Sequence, residues 1–324
     1  MRFSVFVPTF RRPGLLRRNL EALSLQTRKP DEILVGLRLQ EDPEGLTTVD
    51  DFIHSHPEQK VVKVAVSRPG IVKAENALLA AATGDVACFL DDDAIPRPYW
   101  LANLARHYER EERIGGVSGP AIDVVAERPQ LKRARYRNRV LFPGLVLDQS
   151  TRHTDRALGV DHFRGANMSL RIDALRACGG FDERLLGDCY RFEMDACLGI
   201  SRQGYRLLFD PEIEADHHEA PRQGNTPRMS REALGNNAAN ETYVLLKHWG
   251  RGPAGLTHMA YALLVGNFAC PGLAWALAGA VLRPFWRTRH LHGLRGLLPS
   301  WRGRLVGWRM SRERKAERAA AAAG

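Results

Sequence analysis

The sequence is poor in cysteine and lacks the paired cysteine spacings that are typical of zinc sites or of the disulfides of small secreted proteins. Its five cysteines are odd in number and form no Cys-x-x-Cys pair. Most of them stand in apolar or helix-like contexts, which indicates buried free thiols in a reducing compartment. The opening apolar run, MRFSVFVPTF, is broken by Pro8 and is too short for a signal-peptide core. We therefore expect a first strand there and a protein that works on the cytoplasmic side of the cell membrane.

Charged side chains are absent from residues 252–282. This stretch is longer than the roughly 20 residues that a helix needs to cross a bilayer. His258, Asn267 and the Cys270-Pro271-Gly272 turn interrupt it, however. It is predicted either as one broken span or as two short helices in the membrane interface, and a buried helical hairpin is the alternative without a membrane.

The excess of positive charge is confined to the C-terminus. From residue 283 onward there are eleven Lys/Arg and two Asp/Glu, whereas residues 1–282 contain 36 and 35. Trp286, Trp301 and Trp308 stand among these arginines, a combination typical of a lipid headgroup layer. An anionic membrane surface is therefore the expected partner of the tail. The nearly neutral body argues against a specific nucleic-acid partner, although an Arg-rich tail permits non-specific phosphate binding.

The first third of the chain alternates apolar runs with helical periodicity. Strands are predicted at 3–7, 32–39, 61–66, 85–90 and later at 205–209, and helices at 15–25, 50–54, 71–82, 172–178 and 195–203. This alternation predicts an α/β fold with a mostly parallel sheet and helices on both faces. Ligands of such sheets bind at the carboxyl ends of the strands. Thr9, Arg12 and the aspartates at 91–93 are expected at that edge.

Asp91-Asp92-Asp93 directly follows an apolar strand. Three adjacent carboxylates repel one another unless a cation neutralises them. Carboxylate oxygens suit Mg²⁺ or Mn²⁺, which proteins usually hold with one or two carboxylates and the phosphates of a substrate. The alternative is an acidic cap and turn before Pro96 and Pro98.

Several short motifs in a fixed order resemble glycosyltransferase family 2, which has the GT-A fold. They are FSVFVPTFRR at 3–12, PGIVKAENALL at 69–79, ATGD at 82–85, CFLDDDAIP at 88–96, RGANMS at 164–169, GGFDE at 179–183, RFEMD at 191–195, GYR at 204–206 and FDP at 209–211, followed by His217. The resemblance covers about residues 3–218 and leaves the tail outside it. It implies an inverting, metal-using transferase that takes a nucleotide sugar as donor.

The resemblance also assigns donor and metal residues. Nucleotide-sugar contacts are implied for Pro8, Thr9, Arg12, Asp91, Asp92, Gly165, Ala166 and Asn167. Asp91 and Asp93 match the outer positions of the Asp-x-Asp motif that holds Mg²⁺ or Mn²⁺, with Asp93 as the direct ligand. His217 matches a position that joins the metal or diphosphate site in some members, and a structural role for this histidine is equally open.

The resemblance places the catalytic base at Glu193, in an acidic motif that begins the acceptor-side helix. Asp195 is the alternative, as the base itself or as the group that orients it. Gly36 and Arg38 stand where the family has an acidic residue that reads the nucleobase, and Asp42 is a candidate replacement. The Gln-x-x-Arg-Trp motif of processive synthases is absent, which favours transfer of a single sugar.

Three segments follow from these observations. Residues 1–120 are expected to form the nucleotide-sugar-binding half of a GT-A domain, 121–250 its acceptor-side half, and 251–324 a helical membrane-associated tail. The acceptor is a hydroxyl compound, either lipid-linked or a glycan of cell-envelope biosynthesis. A sugar-nucleotide pyrophosphorylase remains an alternative, although the loop after the first strand lacks a Gly-rich phosphate-binding sequence. A non-catalytic membrane-binding or nucleic-acid-binding protein is the other.

Overall fold

A computed structural model gives the fold and describes residues 1–125, 128–130, 138–148, 154–218, 220, 230–267, 269–282 and 293–323. The strands are β1 (Phe3–Pro8), β2 (Glu32–Leu37), β3 (Val61–Ala65), β4 (Val86–Leu90), β5 (Ala94–Pro96), β6 (Ile114–Ser118), β7 (Ala121–Val125), β8 (Arg128–Pro129), β9 (Arg139–Leu141), β10 (Leu145–Leu147), β11 (Leu158–Gly159), β12 (Asn167–Arg171), β13 (Arg206–Phe209) and β14 (Ala215–His217). The helices are α1 (Pro13–Ser24), α2 (Pro43–Ser55), α3 (Ile71–Ala81), α4 (Trp100–Arg110), α5 (Ile172–Ala177), α6 (Phe192–Ser201), α7 (Arg231–Trp249), α8 (Pro253–Leu264), α9 (Leu273–Leu282) and α10 (Leu297–Ala323), with a 3₁₀ turn, η1, at Gly293–Gly296.

The chain forms two compact units. Unit 1 comprises Met1–Arg139, Leu147–Asp182 and Ala196–Pro221, and unit 2 comprises Val140–Val146, Glu183–Asp195 and Arg222–Gly324. The boundaries expected at 120 and 250 fall inside these units. The division into donor half, acceptor half and tail therefore stays an expectation about function.

Unit 1 is built on an eight-stranded sheet in the order β11-β13-β6-β12-β4-β1-β2-β3. β1 runs parallel to β2 and β4, and β2 runs parallel to β3, while β12 lies antiparallel between β4 and β6. The predicted α/β fold with a mostly parallel sheet is confirmed. Because β1 and β4 are adjacent and parallel, the residues after Pro8 and after Leu90 emerge at the same edge of the sheet.

Apolar β-forming residues explain why β1 and β4 lie at the centre. All residues of β4 are buried, and β1 is buried except for its half-buried last residue, Pro8. Strands that are covered on both sides read as continuous apolar runs, as FSVFV and VACFL do. The predicted helix at 50–54 is longer than expected, because Asp42 accepts a hydrogen bond from the Gly45 amide (3.0 Å) and caps α2 at its N-terminus.

Unit 2 is helical, and its long helices α7 and α10 pack against each other at glycines. A Cβ atom at Gly303 would lie 2.1 Å from the carbonyl oxygen of Gly235, and one at Gly307 would lie 2.3 Å from that of Ala239. Any side chain at 303 or 307 would therefore force the two helices apart.

A buried ion cluster joins three segments of unit 2. Glu241 is fully buried on α7, and its Oε2 accepts from Arg191 (2.8 Å) while its Oε1 accepts from Arg304 (3.0 Å) and from the Asn267 amide (2.8 Å). Burial raises the pKa of Glu241, but the two arginines outweigh that effect and hold the pKa below its ordinary value. The carboxylate is therefore charged and fully paired.

The C-terminal segment contains one basic residue that is buried, although the sequence predicts a basic membrane-associated tail. Arg304 is 1% exposed and pairs with Glu241, and the indole nitrogen of Trp301 donates to the Leu263 carbonyl oxygen (3.0 Å). Arg304 and the indole nitrogen of Trp301 are thus engaged within unit 2, and the location of Trp301 and Trp308 in a lipid headgroup layer stays a prediction. Trp286 lies outside the described residues.

The charge-free stretch contains two short helices, α8 and α9, and their location in a membrane interface stays a prediction. The chain reverses between them, where Gly266 and Pro271 form a β-bridge. Across the part of the chain that the structure describes, no helix is both long and apolar enough to cross a membrane.

One buried carboxylate makes the stability of unit 1 dependent on pH. Glu32 on β2 is 1% exposed and accepts hydrogen bonds from Ser4 Oγ (2.7 Å), Thr83 N (2.7 Å), Thr83 Oγ1 (2.8 Å) and Lys60 Nζ (2.6 Å). Burial raises the pKa of Glu32, but these donors outweigh it and lower the pKa from 4.5 to about 2.

We expect the free energy of unfolding to fall by roughly 2–3 kcal/mol between pH 5 and pH 2 through this group. A carboxylate whose pKa is depressed by folding stabilises the protein above its unfolded pKa and loses that contribution as the pH falls through its folded pKa. Urea unfolding at several pH values should show a flatter pH dependence for Glu32→Gln. The exposed Glu58→Gln should keep the slope of the unaltered protein, and equal slopes for all three proteins would contradict the assignment.

Candidate functional site

The three aspartates occupy the turn that follows β4, at the carboxyl edge of the sheet. The side chain of Asn19 on α1 fixes the backbone of this turn, since its Nδ2 donates to the carbonyl oxygens of Asp91 (3.2 Å) and Ala94 (2.7 Å). Asp92 and Asp93 are buried, at 3% and 5% exposure. The turn therefore presents carboxylates in a fixed geometry and largely shielded from water.

Asp92 accepts hydrogen bonds from the loop after β1. Its Oδ2 accepts from Thr9 Oγ1 (2.7 Å) and its Oδ1 from an Arg12 guanidinium nitrogen (2.8 Å), which lies 3.4 Å from Asp93 Oδ2 as well. The sequence assigned Thr9, Arg12 and Asp92 separately to the donor. The structure brings the three together, and it engages both oxygens of Asp92 in holding that loop.

The register of a small second sheet brings His217 to the aspartates. Its strand order is β5-β14-β7-β8, and within it His217 pairs with Ala94 on one side and with Asp123 on the other. The Nε2 atom of His217 lies 3.4 Å from Asp93 Oδ1, and its Nδ1 lies 3.2 Å from Asp123 Oδ1. A carboxylate that accepts from Nδ1 leaves Nε2 directed at the aspartates as a ligand atom.

Asp91, Asp93 and His217 can hold a metal ion. One ligand atom from each lies within 4.8 Å of the other two. Asp93 Oδ1 is buried and accepts no hydrogen bond within the described residues, whereas Asp93 Oδ2 accepts from the Ala220 amide (3.0 Å). An unsatisfied buried carboxylate oxygen is costly unless a cation meets it. Two carboxylates and one imidazole suit Mn²⁺, because a ring nitrogen is a better ligand for a transition metal than for Mg²⁺.

The electrostatics of the cluster agree with this reading. Burial, together with the charges of Asp93 and Asp92, raises the pKa of Asp91 to about 6. Burial also raises the pKa of Asp92, against the opposing effect of Arg12. The cluster thus holds more negative charge than Arg12 alone balances.

The remaining donor residues named from the sequence lie in two places. Pro8 ends β1 beside the aspartates, and Gly165 and Ala166 form the turn that leads into β12. Asn167 is 1% exposed, its Oδ1 accepts from Trp100 Nε1 (2.8 Å), and its Nδ2 donates to the carbonyl oxygen of Ile213 (2.8 Å). Its side-chain amide is therefore engaged within unit 1, and a contact between Asn167 and the donor stays a prediction.

Asp42, the candidate for reading the nucleobase, is also occupied. It is 1% exposed, and besides capping α2 it accepts from the Arg11 amide (2.6 Å). The ring of Phe10 has two guanidinium groups over it, those of Arg11 at 4.9 Å and Arg38 at 5.0 Å from the ring centroid. The residue that directly follows β2 is therefore Arg38, whose planar guanidinium lies over Phe10 of the loop after β1. Asp42 lies further along the chain and is already hydrogen-bonded.

Glu193 and Asp195 both lie in the first turn of α6, in unit 2. Asp195 is 5% exposed; its Oδ2 lies 2.5 Å from Lys247 Nζ and its Oδ1 2.8 Å from His248 Nε2. Both oxygens are thus held by cationic or hydrogen-bonding groups of α7. Glu193 is only half-buried. This contrast favours Glu193 as the group that meets a substrate.

Four participants were missed from the sequence: Asn19, Asp123, Lys247 and His248. Asn19 and Asp123 carry no motif signal, because their roles depend on how α1 and β7 pack. The pair Lys247-His248 follows an ordinary amphipathic pattern, and only the fold shows that α7 directs it at Asp195.

The sequence matches a known family and several characterised glycosyltransferases. The sequence profile described as Glycosyl transferase family 2 matches residues 4–174, which is more than half of the chain. Pre-mycofactocin glycosyltransferase of Mycobacterium tuberculosis is 32% identical over 164 residues, which cover 50% of this chain and 33% of that protein. Glucosyl-dolichyl phosphate glucuronosyltransferase of Haloferax volcanii is 25% identical over 234 residues, or 67% of this chain and 69% of that protein. The match thus spans only a third of the mycobacterial protein's length.

Solved structures agree at the level of the fold. The mannosyltransferase PcManGT of Pyrobaculum calidifontis, solved with GDP-Man and Mn²⁺, superposes with a TM-score of 0.56 at 18% identity, over 94% of this chain and 87% of that one. GalNAc-T7, solved with UDP, GalNAc and Mn²⁺, gives a TM-score of 0.61 at 17% identity, over 81% and 50% of the two chains.

We expect Mn²⁺ to bind the metal-free protein with 1:1 stoichiometry in titration calorimetry. Asp93→Asn and His217→Asn should each weaken binding at least roughly tenfold, because each removes a ligand atom. The neighbouring His218→Asn is the matched control and should bind Mn²⁺ as the unaltered protein does. Thermal unfolding without metal verifies that each variant is folded, and undiminished binding by folded Asp93→Asn would place the ion elsewhere.

Proposed function

The chain belongs to glycosyltransferase family 2, and from this premise we propose that it transfers a single sugar from a nucleotide-diphosphate sugar to a hydroxyl group of a lipid-linked acceptor, inverting the anomeric carbon. The observation that carries the proposal is the grouping of Asp91, Asp93 and His217, in which the buried Asp93 Oδ1 accepts no hydrogen bond within the described residues. A divalent cation held there would offset the charge of a diphosphate leaving group.

The residues of unit 1 prepare the donor side of the reaction. Asp92 draws Thr9 and Arg12 together and so fixes the loop after β1, which leaves Asp91 and Asp93 for the cation. Asp123 orients His217 through its Nδ1. A site that is already organised needs little rearrangement when charge develops on the leaving phosphate.

Glu193 acts as general base in this proposal. It accepts the proton of the acceptor hydroxyl while that oxygen attacks the anomeric carbon from the face opposite the nucleotide, so one displacement inverts the centre. Asp195 positions the first turn of α6, since Lys247 and His248 hold both of its oxygens.

The alternatives receive less support. A pyrophosphorylase needs a Gly-rich phosphate loop after β1, and here that loop is held by its side chains against Asp92. A nucleic-acid-binding protein is less supported because the body is nearly neutral, with 36 basic and 35 acidic side chains in residues 1–282. Nucleic-acid binding also leaves the grouping of Asp91, Asp93 and His217 without a role.

Exposed apolar side chains support an acceptor embedded in a membrane. Of the 19 exposed large apolar side chains among the described residues, 14 belong to unit 2. The exposed side of α9 has no polar residue and includes Leu273, Trp275, Leu277 and Val281. Such a surface fits the boundary between lipid headgroups and acyl chains. We therefore place the protein at the cytoplasmic face of an anionic membrane, and the relative that acts on glucosyl-dolichyl phosphate supports a lipid-linked acceptor.

Glu193→Gln should lower kcat for sugar transfer by about 10²–10⁴-fold and leave donor affinity near that of the unaltered enzyme, because the amide cannot accept the proton. The measurement is release of nucleoside diphosphate from a panel of nucleotide sugars with Mn²⁺ or Mg²⁺, with donor affinity from thermal shift. The matched control, Gln203→Glu, adds a carboxylate elsewhere in the same segment and should not rescue the loss in the double variant. A kcat within twofold of the unaltered enzyme would rule out Glu193 as base.

Replacing Trp275, Leu277 and Val281 together by Ser should abolish sedimentation with neutral phosphatidylcholine vesicles, because the exposed side of α9 then loses its largest apolar groups. The matched control replaces Leu25, Tyr99 and Val125, three exposed apolar residues of unit 1, by Ser and should sediment as the unaltered protein does. Equal loss in both triple variants would mean that vesicle binding does not depend on α9.

A further inference from the structure

Unit 2 contains a groove of about 570 Å³ that is separate from the residues assigned above. α7, η1 and α10 supply most of its lining. Gly235 and Gly303, at which α7 and α10 pack against each other, are among its lining residues. The volume falls within the range of small-molecule sites.

Three arginines line this groove: Arg231, Arg295 and Arg302. All three are exposed, and Glu232 is the one acidic residue among the lining. None of the three arginines forms an ion pair within the described part of the chain. Guanidinium groups gathered without acidic partners repel one another and favour an anion that can accept several N–H donors, as a phosphate does.

The same groove offers apolar contact. Leu294, Leu298 and Val306 line it and are 56%, 55% and 37% exposed. A soluble phosphate compound would leave these side chains in water. A phosphate attached to hydrocarbon would cover them and meet the arginines at once.

We propose that this groove binds the headgroup of an anionic membrane phospholipid, with the phosphate at Arg231, Arg295 and Arg302 and the glycerol and first methylenes against Leu294, Leu298 and Val306. The proposal rests on the membrane association proposed above and adds selectivity to it. α9 supplies apolar attachment to any bilayer, and the groove makes the protein prefer membranes rich in anionic lipid.

The test compares sedimentation of the full-length protein with vesicles of phosphatidylcholine alone and with vesicles that contain phosphatidylglycerol. We expect the unaltered protein to bind the anionic vesicles more tightly. Replacing Arg231, Arg295 and Arg302 by Gln should weaken binding to anionic vesicles by roughly a hundredfold, at about fivefold per arginine. Binding to phosphatidylcholine should not change, because the triple variant keeps the apolar face of α9.

The matched control replaces Arg309, Arg312 and Lys315 by Gln. These residues are exposed on the same helix, α10, and do not line the groove, so the control removes the same net charge. It should weaken binding to anionic vesicles less than about threefold. Equal weakening by both triple variants would reduce the effect to net charge and overturn the groove proposal.

A second arm separates a lipid from a free anion. Millimolar inorganic phosphate should leave the thermal unfolding temperature of the unaltered protein within a degree of its value in buffer. Stabilisation by phosphate that is lost in the groove variant would identify a site for a soluble anion and overturn the lipid assignment. Metal-dependent hydrolysis of the donor, measured without vesicles, should be the same in all variants. If the unaltered protein shows no such hydrolysis, the proposed function is contradicted, whereas the groove proposal is judged by the vesicle experiment alone.

Discussion

The repulsion among three adjacent carboxylates is the constraint around which unit 1 is organised. Asp91, Asp92 and Asp93 follow a fully buried strand, where their charges are poorly screened. Different groups compensate the three carboxylates. Thr9 and Arg12 bond with the middle aspartate, Asp92, and the outer two, Asp91 and Asp93, group with His217. The adjacency of β1 and β4 and the register of β14 both serve this arrangement, because they deliver the compensating groups to one edge of the sheet.

Unit 2 compensates the buried carboxylate of Glu241 with protein groups alone and needs no metal cation there. Glu241 is completed by protein groups alone, through Arg191, Arg304 and Asn267, and its charge is fully balanced. Removing one partner of a buried ion pair costs about 3–5 kcal/mol, since the other charge stays behind uncompensated. Arg191 stands two residues before Glu193, so the same cluster anchors the segment that carries the proposed base. A change in this cluster would therefore affect both the stability of unit 2 and the segment of the proposed base.

The sequence predicted the α/β fold because β1 and β4 are continuous apolar runs. It suggested a metal site because three adjacent carboxylates repel one another, and the family resemblance named Asp91, Asp93 and His217 as the residues of that site. The sequence did not predict contacts that depend on packing. Asn167 stands in a motif of the donor loop, and its amide also bonds with Trp100 and Ile213. Arg304 belongs to an Arg-rich segment, but it is buried against Glu241, a glutamate 63 residues away along the chain. Composition cannot tell a buried arginine from an exposed one, because only the fold supplies the partner.

The position of Arg304 has a practical consequence for anyone who wishes to produce this protein. The Arg-rich end of the sequence invites removal as a disposable extension, but trimming the chain before α10 would strip Glu241 of a guanidinium and uncover the face of α7 that Gly303 and Gly307 fit. A better-behaved preparation would keep every residue of α10 and exchange the apolar side chains on the outer face of α9 instead. A detergent used in purification would have to cover the apolar face of α9 without separating α10 from α7.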